Sequence, residues 1–393
     1  MENKSWIVCL KNGASHKDCQ VHPTKIINEY KSVINGFCCE CTEEELSKHL
    51  DHSLIESICE NIIVKATVLA GKKILSKEDL EIFASSSQAN GAFIRRIGAS
   101  GSSELNGNGS GSLTEGNTNL NVFVVDTGIY PHQDLNIVGG RNFVGIENEK
   151  WTDLNGHGTH VSGIIGAKDN EFGIVGVAPG VRLWAIRVLD KNGSGTVSSI
   201  INGLNWIIKN KGTIWNGNAI VNMSLGGGRN AALDTAVGNL IQKGIVVVVA
   251  AGNSSTNALN SSPARVPNAV TVGATAPNPS YQTLASYSNF GSVVDVLAPG
   301  TNINSTYLGN SYASLSGTSM ATPVVAGTLA LMISTLKLNL TSASSVISLR
   351  NSLINNSSAT KTRYFNGGAA SNPRVQVPAT KATTTVSVWA GLY

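Results

Sequence analysis

Apolar and polar positions follow two regimes along the chain. From residue 119 to about 370, short apolar runs alternate with longer stretches whose apolar positions recur at helical spacing. Runs at 121–125, 182–188, 219–223, 245–250, 269–272 and 293–297 predict strands, and helices are predicted to begin near His157, Val197, Ala231 and Thr322. The run 245–251 is continuously apolar, as in a strand buried on both faces. This alternation implies an α/β domain: a doubly wound, mostly parallel sheet with helices on both faces. Reactive side chains then gather beyond the carboxyl ends of its strands.

Residues 1–68 read instead as a small α+β module. Residues 6–10 and 36–41 predict strands, and 23–34 predicts a helix from the spacing of Ile26, Ile27, Tyr30 and Val33. Thr42 with Glu45 makes a capping box for a helix running to about Leu50, and 55–68 supplies one or two more strands. Residues 69–118 read as a linker, with a short helix over 76–83 and a Gly-, Ser- and Asn-rich run from Gly98 to Gly116. Residues 371–393 are rich in Thr and Val without helical period and read as a tail or an edge strand.

Composition narrows the function classes. A chain of 393 residues has room for two or three domains and a large core. A net charge of +4, with only 14% charged residues, implies no nucleic-acid partner and no anionic membrane. The longest apolar run is too short to span a bilayer. The stretch Trp6 to Leu10 is no signal-peptide core, so the chain as it stands reads as intracellular, and as extracellular if a leader precedes it. All six cysteines (Cys9, Cys19, Cys38, Cys39, Cys41 and Cys59) lie in the small module, so no disulfide can staple the larger domain. That usage fits a reducing compartment. On strand 37–41, Phe37, Cys39 and Cys41 share one face and Cys38 and Glu40 the other. The cysteines read as small packing residues, with a zinc cluster (with His16 or His22) or redox control of the module as rival readings.

Three stretches carry candidate chemistry. Ser319 lies between Gly317 and Pro323 before the apolar run 324–333, where Pro323 suits a first helical turn. A serine there is either an ordinary N-cap or a nucleophile near the positive end of a helix dipole. Asp126 ends the run 122–125 ahead of Thr127 and Gly128, as a turn former or as a strand-end carboxylate. His157 and His160 lie in Asn155-Gly156-His157-Gly158-Thr159-His160. A metalloprotease zinc pair would need Glu after the first His and a second His four residues on, where this chain has Gly158 and Val161.

Taken together, Asp126-Thr127-Gly128, His157-Gly158-Thr159-His160 and Gly317-Thr318-Ser319-Met320-Ala321 resemble, in order and wording, the motifs of the subtilisin-like serine proteases, the subtilases, and in particular the proteinase K branch. The resemblance implies a serine endopeptidase acting on protein or peptide substrates through an acyl-enzyme. Ser319 would be the nucleophile, His157 the base and Asp126 the residue that orients it, while His160 would be a structural neighbour. It further implies Asn253, at the end of the run 246–252, as an oxyanion donor beside the Ser319 N–H. Gly193, Ser194 and Gly195 with Ser224, Leu225 and Gly226 resemble the two edge segments that sandwich a substrate strand. Ala250, Ala251 and Gly252 would wall a first specificity pocket with a broad, apolar leaning. Asp134 and Asn170, with carbonyls of Lys168, Phe172 and Ile174, match the family's structural Ca²⁺ loop, and Asp295 a second, weaker site. No cofactor is implied for the chemistry itself.

Ile34-Asn35-Gly36-Phe37 followed by Thr42 to Glu45 is similar to the family's ferredoxin-like propeptide, an inhibitor of its own protease. The expected form is therefore a monomeric zymogen cut between about residues 66 and 90. A catalytically silent relative that acts as a peptide-binding or inhibitor protein is the alternative, and fluorophosphonate labelling separates the two.

Overall fold

The structure, a computed structural model, describes residues 2–19, 25–49, 52–69, 71–76, 79, 119–145, 150–170, 172–277, 283–357, 362–363 and 369–370. The predicted helix over 76–83 falls almost wholly outside them. So do the run from Gly98 to Gly116, the tail 371–393 and His22.

Four antiparallel strands build the amino-terminal module: β1 (Lys4–Leu10), β2 (Ile26–Tyr30), β3 (Gly36–Cys41) and β4 (Ile55–Glu60), in the order β2-β3-β1-β4. Helix α1 (Glu43–His49) follows β3. Its capping box is formed: Glu45 N–H donates to Thr42 Oγ1 at 3.2 Å, and Thr42 N–H to the Glu45 carboxylate at 3.0 Å. The pleat divides the sheet in two. Val8, Leu10, Phe37, Cys39 and Cys41 pack with Leu46 of α1, whereas Ile7, Cys9, Tyr30 and Cys38 join the core of the larger domain.

The helix predicted over 23–34 is a correction. Ile26–Tyr30 is a strand paired antiparallel with β3. The β-branched Ile26 and Ile27 suit a pleated edge, and Ile27 is half exposed there. The helical spacing of 26, 27, 30 and 33 is outweighed by hydrogen bonds that a neighbouring strand supplies.

After β4 the chain leaves the module as β5 (Ile63–Ala66) and β6 (Lys73–Ile74), both of which lie on the larger domain. That domain is built on β7 (Leu120–Asp126), β8 (Ile137–Asn142), β9 (Arg182–Arg187), β11 (Asn218–Met223), β13 (Val246–Ala250), β15 (Val270–Ala276) and β17 (Val296–Pro299). These pair in parallel in the order β17-β15-β13-β11-β7-β9-β8, with the short β16 (Thr283–Leu284) antiparallel to β15. Two further short strands, β10 (Ser194–Thr196) and β12 (Leu225–Gly228), stand off the sheet and flank β5; β14 (Ser261–Ser262) pairs with β12. The sheet is the predicted doubly wound one. β17 begins three residues later than predicted and β15 runs further, to Ala276.

Helices α2 (His157–Gly166) and α5 (Thr318–Thr335) pack together against the sheet, and α3 (Val197–Lys209) packs on α4 (Ala231–Gln242), with α6 (Ala343–Asn355) beside α4. Among the described residues one helix, α5, is long and apolar enough to cross a membrane; it is 89% buried inside the protein as its central helix. The hairpin β18 (Ile303–Tyr307) and β19 (Ser311–Leu315) was not predicted. Its turn is Leu308-Gly309-Asn310, with positive φ at both Gly309 and Asn310, a hairpin signal legible in the sequence.

The module docks on α3 and α4 through amides and hydroxyls. Tyr30 Oη lies 2.7 Å from Ser198 Oγ, and Ser32 and Val33 donate N–H groups to Asn205 Oδ1. Asn239 and Asn230 donate side-chain N–H to the carbonyls of Val33 and Glu60. At the helix start, Ser198 N–H donates to Asn61 Oδ1 at 2.8 Å.

Candidate active site

Asp126 is the last residue of β7, where the sheet order reverses between β9 and β11. This is the switch point where an open α/β sheet leaves a crevice. Helix α2 brings His157 to it: His157 Nδ1 lies 2.8 Å from Asp126 Oδ1, both side chains fully buried. Asp126 Oδ1 also accepts the Thr127 N–H at 2.7 Å, and Thr127 Oγ1 accepts the Gly158 N–H at 2.9 Å. A Cβ on Gly158 would lie 2.1 Å from the Gly128 carbonyl oxygen, so only glycine lets helix and strand end close on each other here.

Sequence reading passed over Asp153. Its Oδ1 accepts the N–H groups of Asn155 and Gly156, and its Oδ2 accepts Thr159 N–H and Oγ1–H. Burial raises the pKa of this carboxyl and these hydrogen bonds lower it. It thus closes the first turn of α2 from inside; an acid four residues ahead of His157 was the available signal. His160 faces away, with Nε2 2.9 Å from the Ala313 carbonyl oxygen of β19, and burial depresses its pKa to about 3. It stays neutral and structural.

Helix α5 starts at Thr318, four residues earlier than predicted, with Gly317 as its N-cap. Ser319 therefore lies in the first turn, and Pro323 is an interior residue. Proline lacks the N–H that would bond the Ser319 carbonyl. Ser224 Oγ–H supplies that bond instead, at 3.0 Å. The Ser319 hydroxyl donates to the Ser224 carbonyl at 2.9 Å and lies 2.7 Å from Thr67 Oγ1. His157 Nε2 has no hydrogen-bond partner among the described residues.

Asn253 follows Ala250, Ala251 and Gly252 beyond β13. Its Oδ1 accepts Thr318 N–H at 2.9 Å and Thr318 Oγ1–H at 2.8 Å, which turns the amide NH₂ outward. That NH₂ donates to the Thr67 carbonyl oxygen at 2.6 Å, and Ser319 N–H donates to the same oxygen at 3.2 Å. A Cβ on Gly317 would lie 2.5 Å from this oxygen.

The cleft thus holds the chain itself. β5 runs antiparallel between the two predicted edge segments: Ser194 and Gly195 pair with Lys65 and Val64 on one side, Leu225 and Gly226 with Ala66 and Lys65 on the other. Ala66 N–H donates to the Gly193 carbonyl and Thr67 N–H to the Ser224 carbonyl. Val64 is buried, and Leu69 N–H donates to the Ser316 carbonyl past the Thr67–Val68 bond.

The cation sites part ways. Asp134 is buried, its Oδ2 accepts from Ile174 N–H and Tyr312 Oη–H, and its Oδ1 has no partner among the described residues. Burial raises its pKa to about 7. Lys168 N–H donates to the Asp134 carbonyl, its charge acts on the carboxylate, and the Asn170 side chain reaches it, so the loop that includes Phe172 closes around a buried acid. This donor set fits Ca²⁺. Asp295 is a correction: its carboxylate is paired with the Arg350 guanidinium, which also donates to the Ala269 carbonyl at 3.2 Å. Arg350 supplies the charge that a second cation was expected to bring.

Four of the six cysteines, Cys9, Cys38, Cys39 and Cys41, are held as buried thiols. Burial pushes the Cys9 thiol up to about 11 and raises Cys38, Cys39 and Cys41, and only Cys59 is partly exposed. Thiolates are the reactive form, so redox control through these four has no support here. Among the described residues no cluster of three His, Cys, Asp or Glu could hold zinc.

Residues 117–377 match the model of the Subtilase family. Subtilisin Savinase of Lederbergia lenta is 49% identical over 214 residues, 54% of this chain and 76% of that protein. An alkaline protease of Alkalihalobacillus alcalophilus is equally similar, and the match spans about half its length, 53%. The crystal structure of a cold adapted subtilisin-like serine proteinase superposes with a TM-score of 0.58 at 39% identity, covering 66% of this chain and 88% of that one. The chain belongs to the subtilase family of serine endopeptidases, hydrolases of the peptide bond.

Proposed function

We propose that this chain is a self-processing zymogen whose first cut falls between Thr67 and Val68. The observation that carries the reading is the Thr67 carbonyl oxygen, bonded at once by Asn253 Nδ2 and Ser319 N–H. Ser319 Oγ attacks that carbonyl carbon once its hydroxyl leaves the Ser224 carbonyl and the Thr67 hydroxyl and passes its proton to His157 Nε2. Asp126 holds the imidazole by Nδ1 and balances the imidazolium. The two N–H donors take the developing oxyanion. The C–N bond then breaks, His157 returns the proton to the Val68 amine, and water hydrolyses the acyl-enzyme with the same roles. Residues 1–67 remain as an inhibitor in the unprimed half of the cleft.

Other substrates enter by the same strand addition between β10 and β12. Val64 at the buried position three residues ahead of Thr67 supports an apolar preference there, with Ala250, Ala251 and Gly252 walling the pocket for the residue at the cut. Asp134, Asn170 and the carbonyls of Lys168, Phe172 and Ile174 would hold Ca²⁺ as a brace, outside the chemistry.

Mass spectrometry of the purified full chain tests the reading. The wild type should show a new amino terminus at Val68 and label with a fluorophosphonate; Ser319→Ala should stay intact and unlabelled. An intact, unlabelled wild type would instead favour a peptide-binding relative.

A further inference from the structure

Past the cut bond the chain does not swing free. Residues 73–74 form β6, the third strand on the β18–β19 hairpin: Ser314 pairs with Lys73, Ala313 with Ile74, and Leu75 N–H donates to the Tyr312 carbonyl at 2.9 Å. Between the bond and β6, Lys72 lays its Nζ 4.9 Å from the centre of the Tyr307 ring and 3.2 Å from its hydroxyl. A cavity of about 280 Å³ lies alongside, bounded by Val68, Leu69, Asn155, His157, Tyr307 and Leu315.

The hairpin is held rigidly from behind. Ser305 and Thr306 hydroxyls donate to the carbonyls of His160 and Thr159, Tyr307 Oη–H donates to the Asn155 carbonyl at 2.9 Å, and His160 holds the Ala313 carbonyl. A strand edge fixed in this way is pre-organised to take another strand at little further ordering cost.

We propose that the β19 edge and the Tyr307 ring form an extended subsite for the leaving-group side of protein substrates, one that takes a strand and favours a lysine or arginine five residues past the cut bond. The inference rests on the reading that Thr67–Val68 is the bond in place. Backbone pairing along β19 gives affinity without regard to sequence; the aromatic face gives the preference for a cation. Residues 72–75 are the occupant the chain itself provides.

The test uses the self-processed full chain and internally quenched peptides copying residues 64–75, with Lys, Gln or Glu in the place of Lys72. An exposed cation–aromatic contact is worth about twofold to fivefold, so kcat/KM should fall by about that factor from Lys to Gln, and further to Glu. Moving the lysine to the place of Gly71 should remove the advantage. Because the enzyme's own arm competes, the series is repeated on an enzyme carrying Lys72→Glu and Ile74→Pro, which expels the arm and should widen the preference. Equal kcat/KM for all three peptides on both enzymes overturns the proposal, as does an advantage that survives moving the lysine. A chromogenic amide copying residues 64–67 reports the peptidase activity separately, so loss of activity is distinguishable from loss of the subsite.

Discussion

Ser224 illustrates how one side chain can serve both stability and chemistry. Its hydroxyl caps the Ser319 carbonyl that Pro323 leaves open, and accepts from Asn222 Nδ2. Ser224→Ala orphans two buried polar groups, each worth about 1–3 kcal/mol. In a Ser319→Ala background, which prevents self-digestion, urea unfolding should show a loss of about 2–6 kcal/mol for the two groups together. Asn253→Ala should lower kcat by about 10²–10³, the range for loss of one oxyanion donor in subtilisin. Thr318→Val, which frees the amide of one of its two orienting donors, should fall between this and wild type. The gathering of Asp126, His157, Asn253 and Ser319 around one cleft was legible because chemistry restricts residue type and motif; their catalytic roles rest on the proposed function. Asp153 and Thr67 were not, since an Asp in a loop and a Thr after an apolar run are common, and only folding shows what they touch.

At the level of elements, six of the seven parallel strands of the sheet were legible from their apolar runs, and α2 to α4 from their spacing; β8, with Gly139, Gly140 and Arg141 in its six residues, offers no such run. β2 was misread because five residues cannot distinguish a strand from a helical turn by period alone. The β18–β19 hairpin was missed because its polar Ser and Thr residues spend their hydroxyls on α2 carbonyls, which no pattern of apolar residues reports. The dock of the module on α3 and α4 is made of amides, hydroxyls and apolar contacts, without an ion pair across it among the described residues. Inhibition by the isolated module should therefore change less than about threefold between 50 and 500 mM NaCl, since salt screens charges and not such contacts. A steep salt dependence in a Ki series would contradict that account of the dock.

For the whole molecule, Asp134 links pH, calcium and stability. Its carboxyl titrates at about 7 folded against an ordinary value of about 4 unfolded. The native state thus binds a proton more tightly. Without calcium, this group's contribution to stability is fully present below pH about 4 and is lost as pH rises through about 7. Ca²⁺ held in the proposed loop would take the ionised form and should reverse the trend, adding about 2.7 kcal/mol at a hundredfold excess over its Kd. Thermal melts of Ser319→Ala at pH 5 and 8, with calcium and with chelator, check this. The calcium increment should be larger at pH 8, and Asp134→Asn should abolish most of it.

One polypeptide runs through the cleft unbroken, held by β5 before the Thr67–Val68 bond and by β6 after it. On the proposed reading, nucleophile and target are parts of a single reactant, and the first cut should be a unimolecular event. Its half-life should not change on hundredfold dilution of freshly refolded chain, whereas cleavage of one molecule by another would slow in proportion. Each molecule would then carry its own timer, set by local geometry and indifferent to how many copies surround it.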